Sequence, residues 1–170
     1  MKAAETNKKA LEISSNDIEI VEYVPAHRKR FKEINEQWIT RLYVMEEEDI
    51  KTVEDPEKYV LLHGGKIFIA LCKGYPVGTC AYLNMGNQEF EMIKMAVDEK
   101  YRGLKIGKLL GIHSVEKMWI YGAEKLILFS NRAGSAVAIQ LYHFLGFKEV
   151  PLGKSEFLRA DIRMELDRPR

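Results

Sequence analysis

Two cysteines, five prolines, no long apolar run and no excess of either charge mark this 170-residue chain. Each scarcity excludes something. Neither Cys72 nor Cys80 has another Cys or a His at ligand spacing, so no structural zinc or other metal is expected. The two flank Gly74-Tyr75-Pro76, where a tight hairpin would pair Cys72 with Val77 and send the thiols to opposite sheet faces. Two buried free thiols are expected rather than a disulfide. With 26 basic and 25 acidic residues the net charge is +1, which gives no overall pull toward nucleic acid or an anionic membrane. Any anion site must be local. The polar stretch from Met1 to Asp17 lacks the apolar core of a secretory signal, and no later run is long enough to span a bilayer. A cytoplasmic address is the expectation.

What is present is an ordinary globular mixture, 46% hydrophobic and 30% charged, enough for one domain around one core. Residues 1–16 read as a flexible N-terminal segment and 17–170 as a single domain. Asp17 to Val24 alternates as a first strand that Pro25 ends. Phe31, Ile34, Trp38, Ile39 and Leu42 fall at helical spacing, predicting an amphipathic helix over 27–43. Acidic residues 45–53 predict another, and Asp55-Pro56 reads as the cap and first residue of a short helix ending near Gly64-Gly65. Three runs, 66–73, 77–84 and 89–97, predict an antiparallel meander. A long helix over 104–121, a buried strand over 125–130 and a helix over 135–145 follow, and a strand-helix-strand unit of this kind implies a parallel pair. Residues 147–150 and 157–166 complete the chain as strands.

Chemistry concentrates between residues 97 and 110. There a strand meets a helix through a loop holding Gly103 and Gly107 together with Arg102, Lys105 and Lys108. Free N–H groups at a helix start, with basic side chains around them, suit a pyrophosphate. The spacing excludes two familiar phosphate loops. A nucleoside triphosphatase loop needs four residues between its glycines and a hydroxyl after the lysine, whereas here three intervene and Leu109 follows Lys108. A dinucleotide fingerprint needs a Gly-x-Gly-x-x-Gly triplet that is missing.

The segment Arg102-Gly103-Leu104-Lys105-Ile106-Gly107 resembles the coenzyme A loop of the GNAT superfamily of N-acyltransferases, departing from it at Lys105. That family has Gly or Ala at the Lys105 position. Ala138-Ile139-Gln140-Leu141-Tyr142 followed by Gly146-Phe147 is similar to the family's second signature. The resemblance extends from about Asp17 to the C-terminus and is strongest over 89–147. It implies a mixed α/β, three-layer fold whose twisted sheet has splayed central strands flanked by helices. It also implies acetyl-coenzyme A as cosubstrate, with no metal, and direct transfer of the acetyl group to a primary amine.

Carried over by position, the backbone of Met95, Ala96 and Val97 would pair with the pantetheine arm, and one N–H there would polarise the thioester. Residues 102–108, namely Arg102, Gly103, Leu104, Lys105, Ile106, Gly107 and Lys108, would hold the pyrophosphate. Asn131 matches an asparagine that some members use on the cofactor, and equally suits a helix cap. Tyr142 is the expected acid for the departing thiolate and Glu91 the expected base, with Glu89 on the same strand face as the alternative. The acceptor wall is expected among residues 27–62, with Trp38 or Tyr43 lining it, and a homodimer is compatible with an exposed late strand. Two rival readings remain open: an acyltransferase with a different donor or acceptor, and a coenzyme A-binding module without turnover.

Overall fold

The computed structural model describes residues 13–170. Of the segment expected to be flexible, residues 1–12 lie outside the described residues, and Ile13 packs against the core. Seven strands form one sheet in the order β1-β2-β3-β4-β5-β7-β6. They are β1 (Ile18–Glu22), β2 (Lys66–Cys72), β3 (Tyr75–Gly86), β4 (Glu89–Val97), β5 (Lys125–Ser130), β6 (Lys148–Val150) and β7 (Ile162–Asp167). The helices are α1 (Arg28–Leu42), α2 (Glu47–Glu54), α3 (Pro56–Tyr59), α4 (Ile106–Ile120) and α5 (Ala136–Phe144). No helix among the described residues is long and apolar enough to cross a membrane.

Strand periodicity explains the three layers. Phe68, Ala70, Tyr82, Phe90, Met92, Leu126 and Leu128 point to one face, where Ile106, Leu110, Val115 and Met118 of α4 cover them. Ile67, Ile69, Ala81 and Ile93 point to the other and meet Phe31, Val53 and Val60 from α1, α2 and the turn after α3. Both long helices bury one stripe at steps of three and four, as expected: Phe31, Ile34, Asn35 and Ile39 on α1, and Ile106, Leu110, Ser114, Val115 and Met118 on α4. The short α3 starts as expected: Asp55 accepts a hydrogen bond from the Lys58 N–H at 3.1 Å and Pro56 opens the first turn.

The crossover through α4 makes β4 and β5 parallel, as expected, while every other neighbouring pair is antiparallel. The β4–β5 ladder is short. It runs from Glu89↔Lys125 to Met92↔Leu128 and stops, leaving Ile93 to Val97 without β5 partners. A splayed pair at the centre of the sheet follows directly.

Two expectations are corrected. The β2–β3 turn is Lys73-Gly74, both left-handed (φ 48° and 81°), so Cys72 pairs with Tyr75 rather than Val77. Two positive φ values suit the right-handed twist of a two-residue hairpin. With a register shift at Ala70/Leu71, Cys72 and Cys80 both join the core on the α4 face instead of opposite faces. Both are free and buried, and burial pushes the Cys80 thiol up to about 12. The last strand begins at Ile162, not Phe157. Residues 157–161 alternate like a strand but are pulled off the sheet: the Leu158 N–H donates to Glu46 at 2.9 Å, and Arg159 reaches Glu46 and Asp49.

Candidate active site

The fork between β4 and β5 opens into a cavity of about 720 Å³ that crosses the sheet from the α4/α5 face to the α1/α2 face. Its floor is β4, where Thr79 faces Ala96 but Ala81 faces Ile93, so β4 contains one extra residue. Lys94 adopts the left-handed conformation there (φ 53°), and its carbonyl accepts from the Thr79 hydroxyl at 2.7 Å. Asn35 of α1 in turn donates to Thr79 at 3.1 Å. The bulge therefore has its own hydrogen-bonded prop. Beyond it, the main-chain groups of Met95, Ala96 and Val97 that point toward β5 border the cavity without a strand partner.

At the α4/α5 end the strand-to-helix loop turns through Gly103 (φ 79°) and Lys105 (φ 60°). No side chain caps α4, so its first N–H groups, at Ile106, Gly107 and Lys108, have no partner within the helix. Arg102, Gly103, Lys105, Ile106, Gly107 and Lys108 line this end, and the Lys108 ammonium lies 3.9 Å from the centroid of the Phe144 ring. Leu104 is the exception: its side chain packs against the core. Lys105 stands where the coenzyme A loop has Gly or Ala. Its left-handed backbone supplies the turn those residues supply, and its side chain is exposed at the rim of the cavity. Uncapped N–H groups, three cations and an apolar slot along β4 fit a pyrophosphate with a pantetheine arm.

Tyr142, on α5, is buried against Phe147 at 6.1 Å between ring centroids. Burial in these apolar surroundings, with Cys80 nearby, raises its hydroxyl above the usual phenol range. The group is protonated at neutral pH and free to donate into the cavity that it lines. Asn131 also lines the cavity, but its amide is engaged locally. Its Oδ1 accepts from the Gly134 N–H at 3.0 Å and its Nδ2 donates to the Arg159 carbonyl at 2.7 Å. It behaves as the brace of the β5–α5 loop.

Glu91 sits on the other side of the fork. Phe90 and Met92 point to the α4 face, so alternation sends Glu91 to the α1/α2 face, two rungs before the bulge and 4% exposed. Burial, reinforced by Glu156, raises its pKa to about 7, against the lowering influence of Lys94 and Arg163. Glu89, the alternative, lies at the mouth of β4 opposite Lys125 and does not border the cavity.

Around Glu91 the sequence left several residues unread. Lys94 and Asp49 form an ion pair at 2.6 Å, with side chains 2% and 0% exposed. Arg159 adds bonds to Asp49 at 2.7 and 3.0 Å and to Glu46 at 2.8 Å, while its guanidinium lies over the Tyr43 and Phe157 rings. The one visible signal was Lys94 itself, a cation within the otherwise apolar run Met92 to Val97. Trp38 and Tyr43 line the cavity, as do Phe157, Arg159 and Ala160. Tyr43 reaches across to the β5–α5 loop, where a methyl on Gly134 would overlap its hydroxyl. Among the described residues no group of three or more His, Cys, Asp or Glu is placed to hold a metal ion.

Residues 26–147 match the model of the acetyltransferase (GNAT) family, and the chain belongs to that family. Acyl transfer from a coenzyme A thioester is the chemistry that membership defines. The fold superposes on an acetyltransferase of the GNAT family from Staphylococcus aureus Mu50 with a TM-score of 0.78, at 22% identity over 88% of this chain and 98% of that one. It also superposes on the PaiA N-acetyltransferase from Thermoplasma acidophilum in complex with coenzyme A (TM-score 0.67, 19% identity, 89% and 99% covered). In sequence, 102 residues are 34% identical to N-acetylaspartate synthetase from Xenopus tropicalis, covering 58% of this chain and 36% of that protein. The chain thus spans little more than a third of that relative's length.

Proposed function

We propose that the chain is an acetyl-coenzyme A-dependent N-acetyltransferase that passes the acetyl group directly to a primary amine in a ternary complex. The observation that supports this best is the placement of two proton-handling groups on opposite faces of one fork. Tyr142, protonated, lies on the α4/α5 side and Glu91, unpaired, on the α1/α2 side. Bound acetyl-coenzyme A supplies the activated acyl group. The unpartnered N–H groups along Met95 to Val97 orient and polarise its carbonyl, and uncapped α4 with Arg102, Lys105 and Lys108 holds the diphosphate. An amine with a pKa near 10 arrives mostly protonated, and a carboxylate with a pKa of about 7 can take its proton directly or through water. Tyr142 gives a proton to the sulfur as it leaves.

The acceptor enters from the wall formed by Trp38, Tyr43, Phe157 and Arg159. The name of the Xenopus relative specifies aspartate, so small amino acids are the first acceptors to assay. The test is thiol release by pure protein with acetyl-coenzyme A and an amine panel. Glu91→Gln should lower kcat on the order of 10²–10³-fold with little change in cofactor affinity, and Tyr142→Phe on the order of 10-fold. Tight cofactor binding without thiol release for any amine would leave only the binding-module reading. Selective use of a longer acyl donor would replace acetyl with another acyl group.

A further inference from the structure

Asp49 of α2 is wholly buried and surrounded by donors. Its Oδ1 accepts from Lys94 Nζ at 2.6 Å and Arg159 Nη2 at 3.0 Å, and its Oδ2 from Arg159 Nη1 at 2.7 Å and the Glu46 N–H at 3.0 Å. The cation it holds most closely is the one the bulge throws onto the Glu91 face. Lys94 lies three residues after Glu91, is itself buried, and has two carboxylates within Coulombic reach, Asp49 and Glu91. Its hydrogen bond goes to Asp49.

The other charges around Glu91 follow the same division. Arg163, from β7, donates to Glu165 at 2.8 Å. Arg159, from the loop before β7, is bound to Glu46 and Asp49. Glu156, from that loop, adds a like charge. Lys94, Arg159 and Arg163, the cations on the Glu91 side, are thus committed to other carboxylates, and among the described residues Glu91 has no ion-pair partner.

We propose that Asp49 is a positioning residue for the base: by anchoring the Lys94 ammonium on α2, it keeps Glu91 unpaired and able to accept the proton of the incoming amine. The inference rests on the reading of Glu91 as that base. Were Lys94 to swing to Glu91, an opposite charge within about 4–6 Å would stabilise the carboxylate and weaken it as a proton acceptor. The raised proton affinity that burial gives Glu91 would be cancelled by its own strand neighbour. Arg159 does not depend on Asp49 alone, because Glu46 also holds it, so loss of the Asp49 charge frees Lys94 more than it frees the loop.

The experiment is the pH dependence of kcat/KM for thiol release in wild type, Asp49→Asn, Asp49→Asn/Lys94→Met and Glu91→Gln. Asp49→Asn should move the acidic limb down by about one to two pH units and lower the plateau, since Lys94 then pairs with Glu91. The double variant, which has no ammonium to redirect, should bring the limb back to within about half a unit of wild type. A limb that stays put in Asp49→Asn, or that stays displaced in the double variant, overturns the inference. Should Asp49→Asn not fold, Lys94→Met alone decides. Its limb stays within about half a unit of wild type if Asp49 already holds the ammonium, and a rise of about a unit or more would show that Lys94 serves Glu91. Glu91→Gln separates the two ideas. If it keeps both rate and acidic limb, the base assignment fails, whatever Asp49 does.

Discussion

The two faces of the fork are built on opposite principles, although one strand forms the floor of both. On the α4/α5 face the groups that border the cavity are main-chain N–H groups, a loop of small and basic residues, and one tyrosine in apolar surroundings. On the α1/α2 face Glu91, Lys94 and Arg159 border it, and their charges are balanced by or against Asp49 on α2 and Arg163 on β7 behind them, so that four elements far apart in sequence share the arrangement. The first face recognises what every thioester of coenzyme A shares. The second, where we propose that an amine gives up its proton, depends on a balance of buried charge that a single substitution upsets.

That contrast predicts unequal tolerance. Asp49→Ala removes the carboxylate shared by Lys94 and Arg159 and, with Lys94 turning to Glu91 as partial compensation, should cost about 3 kcal/mol of stability at pH 7, read by thermal or urea unfolding. Tyr142→Phe on the other face should change stability by less than about 1 kcal/mol, having no bonded partner to lose. Equal losses would show that the faces do not differ in this way. The Asp49 contribution also has a pH window. Burial works against its charge, but Arg159 and Lys94 overcome that and hold its pKa at about 2. Its stabilisation is therefore complete above the ordinary carboxylate pKa near 4 and lost as the pH falls toward 2.

Glu91 titrates in the opposite sense. Its folded-state pKa of about 7 lies above the unfolded value, so the fold favours the protonated form. Its contribution is full below about pH 4.5 and disappears as the pH rises through 7. Glu91→Gln should thus stabilise the protein by up to about 3 kcal/mol at pH 8 and hardly at all at pH 4. An inactive but hardier variant at pH 8 would mark Glu91 as a group kept for activity at the expense of stability. The smallest effect belongs to the loop. Lys105→Gly should relieve a left-handed lysine and gain up to about 1 kcal/mol in melting experiments, while calorimetry shows coenzyme A binding weakened only a few-fold.

The same contrast explains what could be read from the sequence. Residues 102–107 and 138–147 lie in two short runs, each shaped by local needs, so the loop, α5 and the place of Tyr142 were legible. So were the meander, the parallel crossover and the Asp55 cap, each set by periodicity or by neighbours within a few positions. Glu91 could be proposed from its strand. Its surroundings could not, because Asp49 meets Lys94 across 45 positions and Arg159 across 110. The bulge at Lys94 and the extra residue in β3 that puts Cys80 on the same face as Cys72 were also hidden, since one extra residue reverses every later side chain. Residues 157–161 misled for a related reason. Their alternation is genuine, but the hydrogen bonds of Leu158 and Arg159 go to α2 instead of a neighbouring strand.

The rung Met92↔Leu128 is where the two halves of the sheet cease to be zipped together. It is the vertex of a wedge, and it acts as a stop: nothing threaded between β4 and β5 can advance past it. Glu91 lies one residue short of that vertex, so the depth to which an acyl group can slide is set by the same hydrogen bonds that fix the height of the carboxylate.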